Sequence, residues 1–277
     1  MKILIAIAIL GGLGLLFGLI LAIASKVFHV ETDPRLEKLI EALPGANCGG
    51  CGYAGCGAYA QAVLDGSAQI GKCASGGDAA AQAMAAIMGV QAEKVQRKVA
   101  LVRCTGYKGV TPEGKLTGAK MKGVYEGIHD CLAATKVAGR GPLICKFGCL
   151  GFGNCTAACK YDAIHIVDGI AKVDPDKCVG CMSCAATCPR GLIVPVDPAN
   201  HVVIACASRA KGAVTIRGCS SGCIGCGKCE TVCEEQAIHV ENNLATIDYT
   251  KCTACGKCAP ACPQHLIDSP AAEAVPQ

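Results

Sequence analysis

Cysteine is the residue type whose number and spacing decide what chemistry this sequence can do. The chain holds 24 cysteines in 277 residues, and three groups of four share the spacing C-x2-C-x2-C-x3-C. In such a run, three thiolates on a tight loop each reach a different iron of a [4Fe–4S] cluster, while the fourth binds a second cluster. Zinc sites rarely place three cysteines at these intervals. The spacing therefore predicts iron–sulfur clusters. The three groups are Cys178, Cys181, Cys184 and Cys188; Cys223, Cys226, Cys229 and Cys233; and Cys252, Cys255, Cys258 and Cys262.

A fourth group has a stretched spacing, C-x3-C-x5-C-x3-C, and consists of Cys145, Cys149, Cys155 and Cys159. Glycines at 148, 151 and 153 allow the longer loop to fold back. The segments 160–177 and 234–251 both predict a strand, a turn and a second strand between two cluster loops. The sequence therefore predicts two duplicated ferredoxin domains of two clusters each, at residues 145–195 and 219–268.

The exchange of the fourth ligand between paired clusters predicts four ligand sets. They are Cys145, Cys149 and Cys155 with Cys188; Cys178, Cys181 and Cys184 with Cys159; Cys223, Cys226 and Cys229 with Cys262; and Cys252, Cys255 and Cys258 with Cys233.

A glycine-rich segment near the N-terminus supplies four further thiols, Cys48, Cys51, Cys56 and Cys73. Its glycines leave backbone N–H groups free to approach the sulfurs, which is one way to tune a cluster. Clusters of this kind belong to a reducing compartment, which argues against disulfides. A fifth [4Fe–4S] cluster is the expectation here, and a zinc site with the same four thiolates is the alternative.

Four cysteines stay unassigned by these patterns: Cys104, Cys131, Cys206 and Cys219. The segments "VALVRCTGYKG" and "VVIACASRAKG" both predict a buried strand that ends near a cysteine, so the duplicated unit extends to this lead-in. A sixth cluster is one hypothesis for the four residues. Buried free thiols are the other main interpretation, since unpaired cysteine is often buried; zinc or a redox-active pair are further alternatives.

The N-terminal segment is apolar without interruption from Ile3 to Ala24. A helix of that length spans roughly 33 Å, against about 30 Å of bilayer hydrocarbon, so a retained transmembrane helix is expected. A cleaved signal peptide is the alternative. Basic residues follow the segment more than they precede it, which favours a cytoplasmic C-terminal side. The mild net charge of +4 gives no indication of nucleic-acid binding.

The sequence resembles the RnfB family, the B subunits of Rnf complexes, through two motifs, "LIEALPGANCGGCGYAGCGAYAQAV" after the apolar segment and "CKFGCLGFGNC" later. The resemblance implies a component of a translocase that transfers electrons from reduced ferredoxin to NAD⁺ and exports Na⁺ or H⁺. It implies soluble ferredoxin as donor, membrane-embedded and flavin- or NAD-binding subunits as partners, and a single-pass protein of the cell (inner) membrane with its ferredoxin domains on the cytoplasmic side. Two alternatives are an electron donor that keeps a redox-sensing transcription factor reduced, and a stand-alone membrane-tethered polyferredoxin.

The chain shows no phosphate-binding loop or dinucleotide fingerprint, so we expect another subunit to handle NAD⁺. Electron transfer needs no general acid or nucleophile, so we expect no catalytic side chains in this chain. We expect an α+β protein with five [4Fe–4S] clusters, a sixth being possible. The expected divisions are a single transmembrane helix at 1–27, a small, mostly helical 4Fe–4S domain at 28–100, a connecting α/β segment at 101–144, the first bacterial-type two-cluster ferredoxin domain at 145–195, a connecting segment at 196–218, the second ferredoxin domain at 219–268, and a tail at 269–277.

Overall fold

The computed structural model describes residues 2–27, 33–106, 118–198 and 202–268, so the expected tail at 269–277 lies outside the described residues. The helices are α1 Lys2–Val27, α2 Pro34–Glu41, α3 Cys56–Leu64, α4 Gly77–Met88, α5 Cys131–Lys136, α6 Asn154–Ala157, α7 Ser183–Thr187, α8 Gly212–Gly218, α9 Lys228–Thr231 and α10 Cys258–Ala261. The strands are β1 Val99–Val102, β2 Ile164–Val167, β3 Ile170–Val173, β4 Ile193–Val196, β5 Val203–Ile204, β6 Ile238–Glu241, β7 Leu244–Ile247 and β8 Ile267–Asp268.

The predicted fold class is wrong in one respect, which is the single transmembrane helix expected at 1–27. Within the described part of the chain, no helix combines the length and the apolar character that crossing a bilayer requires. The α+β part of the predicted class agrees with the observed elements.

The N-terminal domain packs α2, α3 and α4 around a small core. Leu39, Tyr59 and Met84, one from each helix, are almost completely buried. The side chain of Asp33 caps α2 by accepting a hydrogen bond from the backbone N–H of Arg35 at 2.8 Å. Gly89 ends α4 in the left-handed conformation that suits glycine at a helix C-terminus. The three helices thus hold the first cysteine segment against a rigid support.

Each ferredoxin domain contains the hairpin that the sequence predicts. β2 pairs with β3 and β6 pairs with β7, both antiparallel. The turns Asp168–Gly169 and Asn242–Asn243 have positive φ at both central residues, as a tight two-residue hairpin turn requires. The two hairpins occupy equivalent positions, which agrees with an internal duplication.

Both connecting segments add a strand to a ferredoxin domain. β1 pairs antiparallel with β4, and β5 pairs antiparallel with β8 at the end of the second domain. Cys104 and Cys206 each come two residues after such a strand. The paired strands therefore hold these cysteines against the ferredoxin domains.

Cysteine sulfurs form much of the buried core in both ferredoxin domains. Aliphatic side chains such as Ile164 and Ile238 pack in these cores, which contain four buried cysteines in the first domain and five in the second. Each hairpin has two strands, and the helices between the motifs have four or five residues. Elements of that size have little stability in isolation. The cores are thus organised around the cysteines.

Candidate iron–sulfur centres

The cysteines of the folded chain gather into six groups of four, although their members come from distant parts of the sequence. All 24 cysteines lie among the described residues, and each is a free thiol. We number the groups by the order in which they adjoin one another in space. Their members are Cys48, Cys51, Cys56 and Cys73 in group 1; Cys159, Cys178, Cys181 and Cys184 in group 2; Cys131, Cys149, Cys155 and Cys188 in group 3; Cys104, Cys145, Cys206 and Cys219 in group 4; Cys223, Cys226, Cys229 and Cys262 in group 5; and Cys233, Cys252, Cys255 and Cys258 in group 6.

Group 1 surrounds a cavity between α3 and the loop that precedes it. Cys56 begins α3, and its backbone N–H donates a hydrogen bond to Asn47 Oδ1 at 2.8 Å. Ser75 Oγ lies 3.4 Å from Cys48 Sγ, within hydrogen-bonding reach of a sulfur. Tyr59 also lines the cavity. All four cysteines that the sequence suggests for this centre therefore meet at one place.

Groups 2, 5 and 6 contain the cysteines that the ferredoxin spacing predicts. Backbone N–H groups point at their sulfurs: Ala163 donates to Cys159 Sγ at 3.4 Å, and Ala237 donates to Cys233 Sγ at 3.3 Å. These two contacts are equivalent in the duplicated domains. Hydrogen bonds from amides to thiolates are one of the levers that set the potential of a bound cluster. Both domains thus have the same hydrogen bond from a backbone amide to a cysteine sulfur.

Group 3 differs from the predicted ligand set at one position. Its cavity is lined by Cys131, which the sequence left unassigned, together with Cys149, Cys155 and Cys188. Cys145, which the spacing placed in this set, lines a different cavity. Burial raises the pKa of Cys155 to about 11, and the neighbouring thiols of Cys149 and Cys131 contribute to the same shift. The structure therefore brings together three of the four predicted residues.

The stretched loop explains how Cys131 reaches group 3. Asp130 caps α5 by accepting from the backbone N–H of Ala133 at 2.7 Å, so Cys131 begins the helix. Asn154, in the five-residue gap that lengthens the loop, accepts from the backbone N–H of Cys131 at 2.7 Å and donates to the Asp130 carboxylate. Gly151 and Gly153 turn the loop with positive φ. The extra residues thus hold the start of α5 at the cavity.

Group 4 unites Cys145 with the three other cysteines that the sequence left unassigned. All four line one cavity. The sequence missed this grouping because its members are separated by up to 115 positions in the chain. The odd spacing after Cys145 and the similar contexts of Cys104 and Cys206 were the available signals.

The cavities fit a cluster better than a single ion. Among the described residues, no three His, Cys, Asp or Glu side chains lie close enough together to hold one metal ion. A tetrahedral zinc site has bonds of about 2.3 Å, so its sulfurs crowd around one point. A [4Fe–4S] cluster bonds each thiolate to a separate iron and keeps the four sulfurs farther apart. The cavities of groups 1 to 5 have volumes of about 10–30 Å³.

Tight packing between backbone segments around the cysteines also agrees with a preformed binding site. Gly180, between two cysteines of group 2, has φ +70°, and an added Cβ would lie 2.2 Å from the carbonyl oxygen of Lys98. Burial raises the pKa of Cys184 and Cys258 to about 11, so the thiols are neutral at pH 7 without a metal. Iron provides the positive charge that makes buried thiolates favourable.

Comparison with protein families matches three of these regions. An Fe–S cluster family matches residues 43–75, which contain group 1. A 4Fe–4S binding domain matches residues 170–193, and a 4Fe–4S dicluster domain matches residues 222–266. The matches therefore support an Fe–S cluster near the N-terminus and 4Fe–4S clusters in both ferredoxin domains.

Full-length relatives decide the family. The chain is 38% identical to the B subunit of the ion-translocating oxidoreductase complex of Methanosarcina acetivorans, over 95% of this chain and 97% of that protein. It is 44% identical to the B subunit of the Na⁺-translocating ferredoxin:NAD⁺ oxidoreductase complex of Acetobacterium woodii, over 90% of this chain and 73% of that protein. The chain belongs to the RnfB family. A third relative of this family, the B subunit of the proton-translocating ferredoxin:NAD⁺ oxidoreductase complex of Clostridium ljungdahlii, is 39% identical over 87% of this chain and 82% of that protein.

Proposed function

We propose that this chain is the electron-relay subunit of an ion-translocating ferredoxin:NAD⁺ oxidoreductase complex. Groups 1, 2, 3, 5 and 6 hold five [4Fe–4S] clusters, with Cys131 rather than Cys145 completing group 3. A [4Fe–4S] cluster accepts and releases one electron at a time. The work of the protein is to position the cysteines, exclude water from them and supply hydrogen bonds to their sulfurs. We name no catalytic side chain in this chain.

The observation that carries this proposal is the direct contact between groups 1 and 2. An added Cβ on Gly50, between two cysteines of group 1, would lie 2.4 Å from the carbonyl oxygen of Cys181, so the two backbones touch. Ser183 Oγ donates to the carbonyl oxygen of Cys48 at 3.2 Å and lies 3.5 Å from Cys181 Sγ. Cys181 lines the cavities of both groups. A protein that only stored iron has no need for such contacts between separate domains.

The second ferredoxin domain is the end of the chain that we propose receives electrons. Cys226 of group 5 and Cys255 of group 6 are exposed, whereas the cysteines of groups 1 to 4 are buried or half-buried. The exposed Lys228 lies two residues after Cys226, with the exposed carboxylates of Glu230 and Glu234 close to it in the chain. We propose that Lys228 pairs with a carboxylate of the donor. We propose soluble ferredoxin as that donor and the other Rnf subunits as the acceptors.

Location and ion transport follow from the same proposal. We place the chain at the cytoplasmic face of the cell membrane, held there by the other subunits of the complex. The relatives from Acetobacterium woodii and Clostridium ljungdahlii are named for sodium and for proton translocation. Chains of similar identity to this one thus serve complexes with different ions. We therefore assign ion movement and NAD⁺ chemistry to other subunits.

Anaerobic stopped-flow mixing of the full-length, iron-loaded chain with reduced ferredoxin tests the relay function. We expect the absorbance of the oxidised clusters near 400 nm to bleach, and Lys228→Glu to lower the second-order rate at least about threefold at low salt. Lys136 is also an exposed lysine and lies on α5, so Lys136→Glu serves as the control and is expected to leave the rate unchanged. Bleaching by dithionite but not by ferredoxin would refute the proposed donor.

A further inference from the structure

We infer that Tyr161 is a positioning residue that donates a hydrogen bond to the Cys48 sulfur across the contact between groups 1 and 2. This hydrogen bond raises the reduction potential of a cluster bound at group 1. The inference rests on the proposed function, which supplies the cluster at group 1 and the entry of electrons at the second ferredoxin domain.

The hydroxyl of Tyr161 is buried and has no hydrogen-bond partner among the described residues. The side chain lines the cavity of group 2 and packs against the core of the first ferredoxin domain. A buried hydroxyl without a partner is costly, and folded proteins rarely keep one. The thiolate sulfurs that hold a cluster accept hydrogen bonds, so they are the kind of acceptor that this hydroxyl lacks.

Tyr161 faces group 1 as well as group 2. Burial raises the pKa of Tyr161; the Ser75 hydroxyl opposes that shift, and the thiols of Cys48 and Cys181 add to it, Cys48 more than Cys181. Electrostatic effects weaken with distance, so Cys48 is the sulfur that we assign as the acceptor. Ser75 Oγ is itself 3.4 Å from Cys48 Sγ. Two hydroxyls, one from each domain, thus lie near one sulfur of group 1.

The residues around Tyr161 in the chain hold it at this contact. Lys160 Nζ donates to the carbonyl oxygens of residues 46–47, directly before the first cysteine of group 1, at 2.8 and 3.2 Å. Two residues after Tyr161, the backbone N–H of Ala163 donates to Cys159 Sγ at 3.4 Å. The tyrosine therefore lies between a residue bonded to the group 1 loop and a residue bonded to a group 2 sulfur.

The duplicated domain provides an internal comparison for this position. When the two ferredoxin domains are aligned at the cysteine before each hairpin, Glu234 and Glu235 correspond to Lys160 and Tyr161. Both glutamates are exposed. The ferredoxin fold itself therefore does not require a tyrosine at this position, and the tyrosine is found in the domain that contacts group 1.

A hydrogen bond to a ligand sulfur changes the potential because it stabilises the reduced, more negative state of a cluster. A tyrosine hydroxyl keeps its hydrogen at neutral pH, so Tyr161 donates in both redox states. Each transfer oxidises group 2 and reduces group 1 by one electron, and no bond to hydrogen breaks. A donor at group 1 makes that transfer more favourable when electrons arrive from the second ferredoxin domain.

Anaerobic redox titration of the full-length, iron-loaded chain, followed by electron paramagnetic resonance, tests this role. Tyr161→Phe removes only the hydroxyl, so we expect unchanged iron content and a lower midpoint potential for the group 1 signal. That signal is the one that Cys51→Ser removes. Tyr249→Phe is the matched control and is expected to leave the group 1 potential unchanged, because this half-buried hydroxyl already donates to the carbonyl oxygen of Val202 at 3.2 Å.

An unchanged group 1 potential in Tyr161→Phe with full iron content would overturn the inference, as would a shift confined to a signal that Cys51→Ser leaves in place. If Tyr161→Phe binds less iron, incorporation of 3-fluorotyrosine throughout the wild-type chain gives the second measurement. This stronger donor is expected to raise the group 1 potential, and no rise would overturn the inference.

The titrations use dithionite as reductant, so their result does not depend on ferredoxin. A chain that ferredoxin cannot reduce, but whose group 1 potential falls in Tyr161→Phe, keeps the hydrogen bond and loses the proposed function. A chain that ferredoxin reduces, and whose group 1 potential does not respond to Tyr161→Phe, keeps the function and loses this inference.

Discussion

At the scale of single residues, Arg190 links groups 3 and 4. Its guanidinium donates to the carbonyl oxygens of Cys145 at 3.2 Å and Arg140 at 2.6 Å, and also to that of Gly148. The side chain lines the group 3 cavity. Burial lowers the pKa of Arg190, while the nearby thiols of Cys145 and Cys149 oppose that shift. A fixed positive charge beside group 3 stabilises the reduced, more negative state of a cluster bound there.

Replacement of Arg190 by methionine removes that charge while keeping an unbranched apolar stem. We expect the midpoint potential of the cluster in group 3 to fall by tens of millivolts, since about 1 kcal/mol corresponds to roughly 40 mV for one electron. Anaerobic redox titration followed by electron paramagnetic resonance measures the shift. Arg190→Lys keeps the charge and serves as the control; equal potentials in all three proteins would contradict this role.

At the scale of elements, the N-terminal domain is held to the first ferredoxin domain by a small polar contact. Lys160 Nζ donates to the carbonyl oxygens of Ala46 and Asn47 at 2.8 and 3.2 Å. Gly50 allows the two backbones to touch at Cys181. The contact is local, so one added methyl group at Gly50 is enough to separate the two surfaces.

Gly50→Ala is expected to weaken this docking without unfolding either domain, because the added Cβ meets backbone rather than a movable side chain. Hydrogen exchange at residues 46–50 and 181–183 should become faster, by roughly tenfold for each 1.4 kcal/mol of lost contact energy. Gly57→Ala in α3 is the matched control, since nothing lies within 4 Å of its added Cβ. Unchanged exchange in Gly50→Ala would show that the contact is not tight in solution.

At the scale of the whole molecule, clusters replace the large apolar core that the composition lacks. The chain has no tryptophan and four phenylalanines, and cysteines occupy the centre of both ferredoxin cores. The N-terminal domain differs, because α2, α3 and α4 pack Leu39, Tyr59 and Met84 against one another. The two kinds of domain should therefore depend on iron to different degrees.

Anaerobic removal of iron by a chelator is expected to unfold both ferredoxin domains and to leave part of the α2–α4 helical signal. The hairpins and the four- to six-residue helices around groups 2, 3, 5 and 6 are too small to persist alone. Far-ultraviolet circular dichroism and hydrogen exchange follow the two parts separately. Retained protection of β2, β3, β6 and β7 in the iron-free chain would contradict a core organised by clusters.

The sequence determined most of the local chemistry because cluster ligands repeat at short, regular intervals. The run from Cys252 to Cys262 and the glycine-rich segment from Cys48 to Cys73 each place most of their ligands on one or two short loops. The hairpins could be predicted for the same reason, since the turns at Asp168–Gly169 and Asn242–Asn243 follow from neighbouring residues. The family resemblance, which full-length relatives bear out, also rests on contiguous motifs. The transmembrane expectation rested on the length and the apolar character of the segment from Ile3 to Ala24, and it was wrong for the described part of the chain.

The tertiary structure decided how cysteines distant in sequence combine. Spacing placed Cys145 with Cys149 and Cys155, yet Asn154 brings Cys131 to that cavity, and pairing of residues 118–122 with 142–144 and 218–220 carries Cys145 to group 4. Spacing describes how far a loop can reach, but two loops of suitable length can compete for one position. Only packing between the connecting segments and the two ferredoxin domains settles that competition, because the deciding contacts join residues more than 20 positions apart.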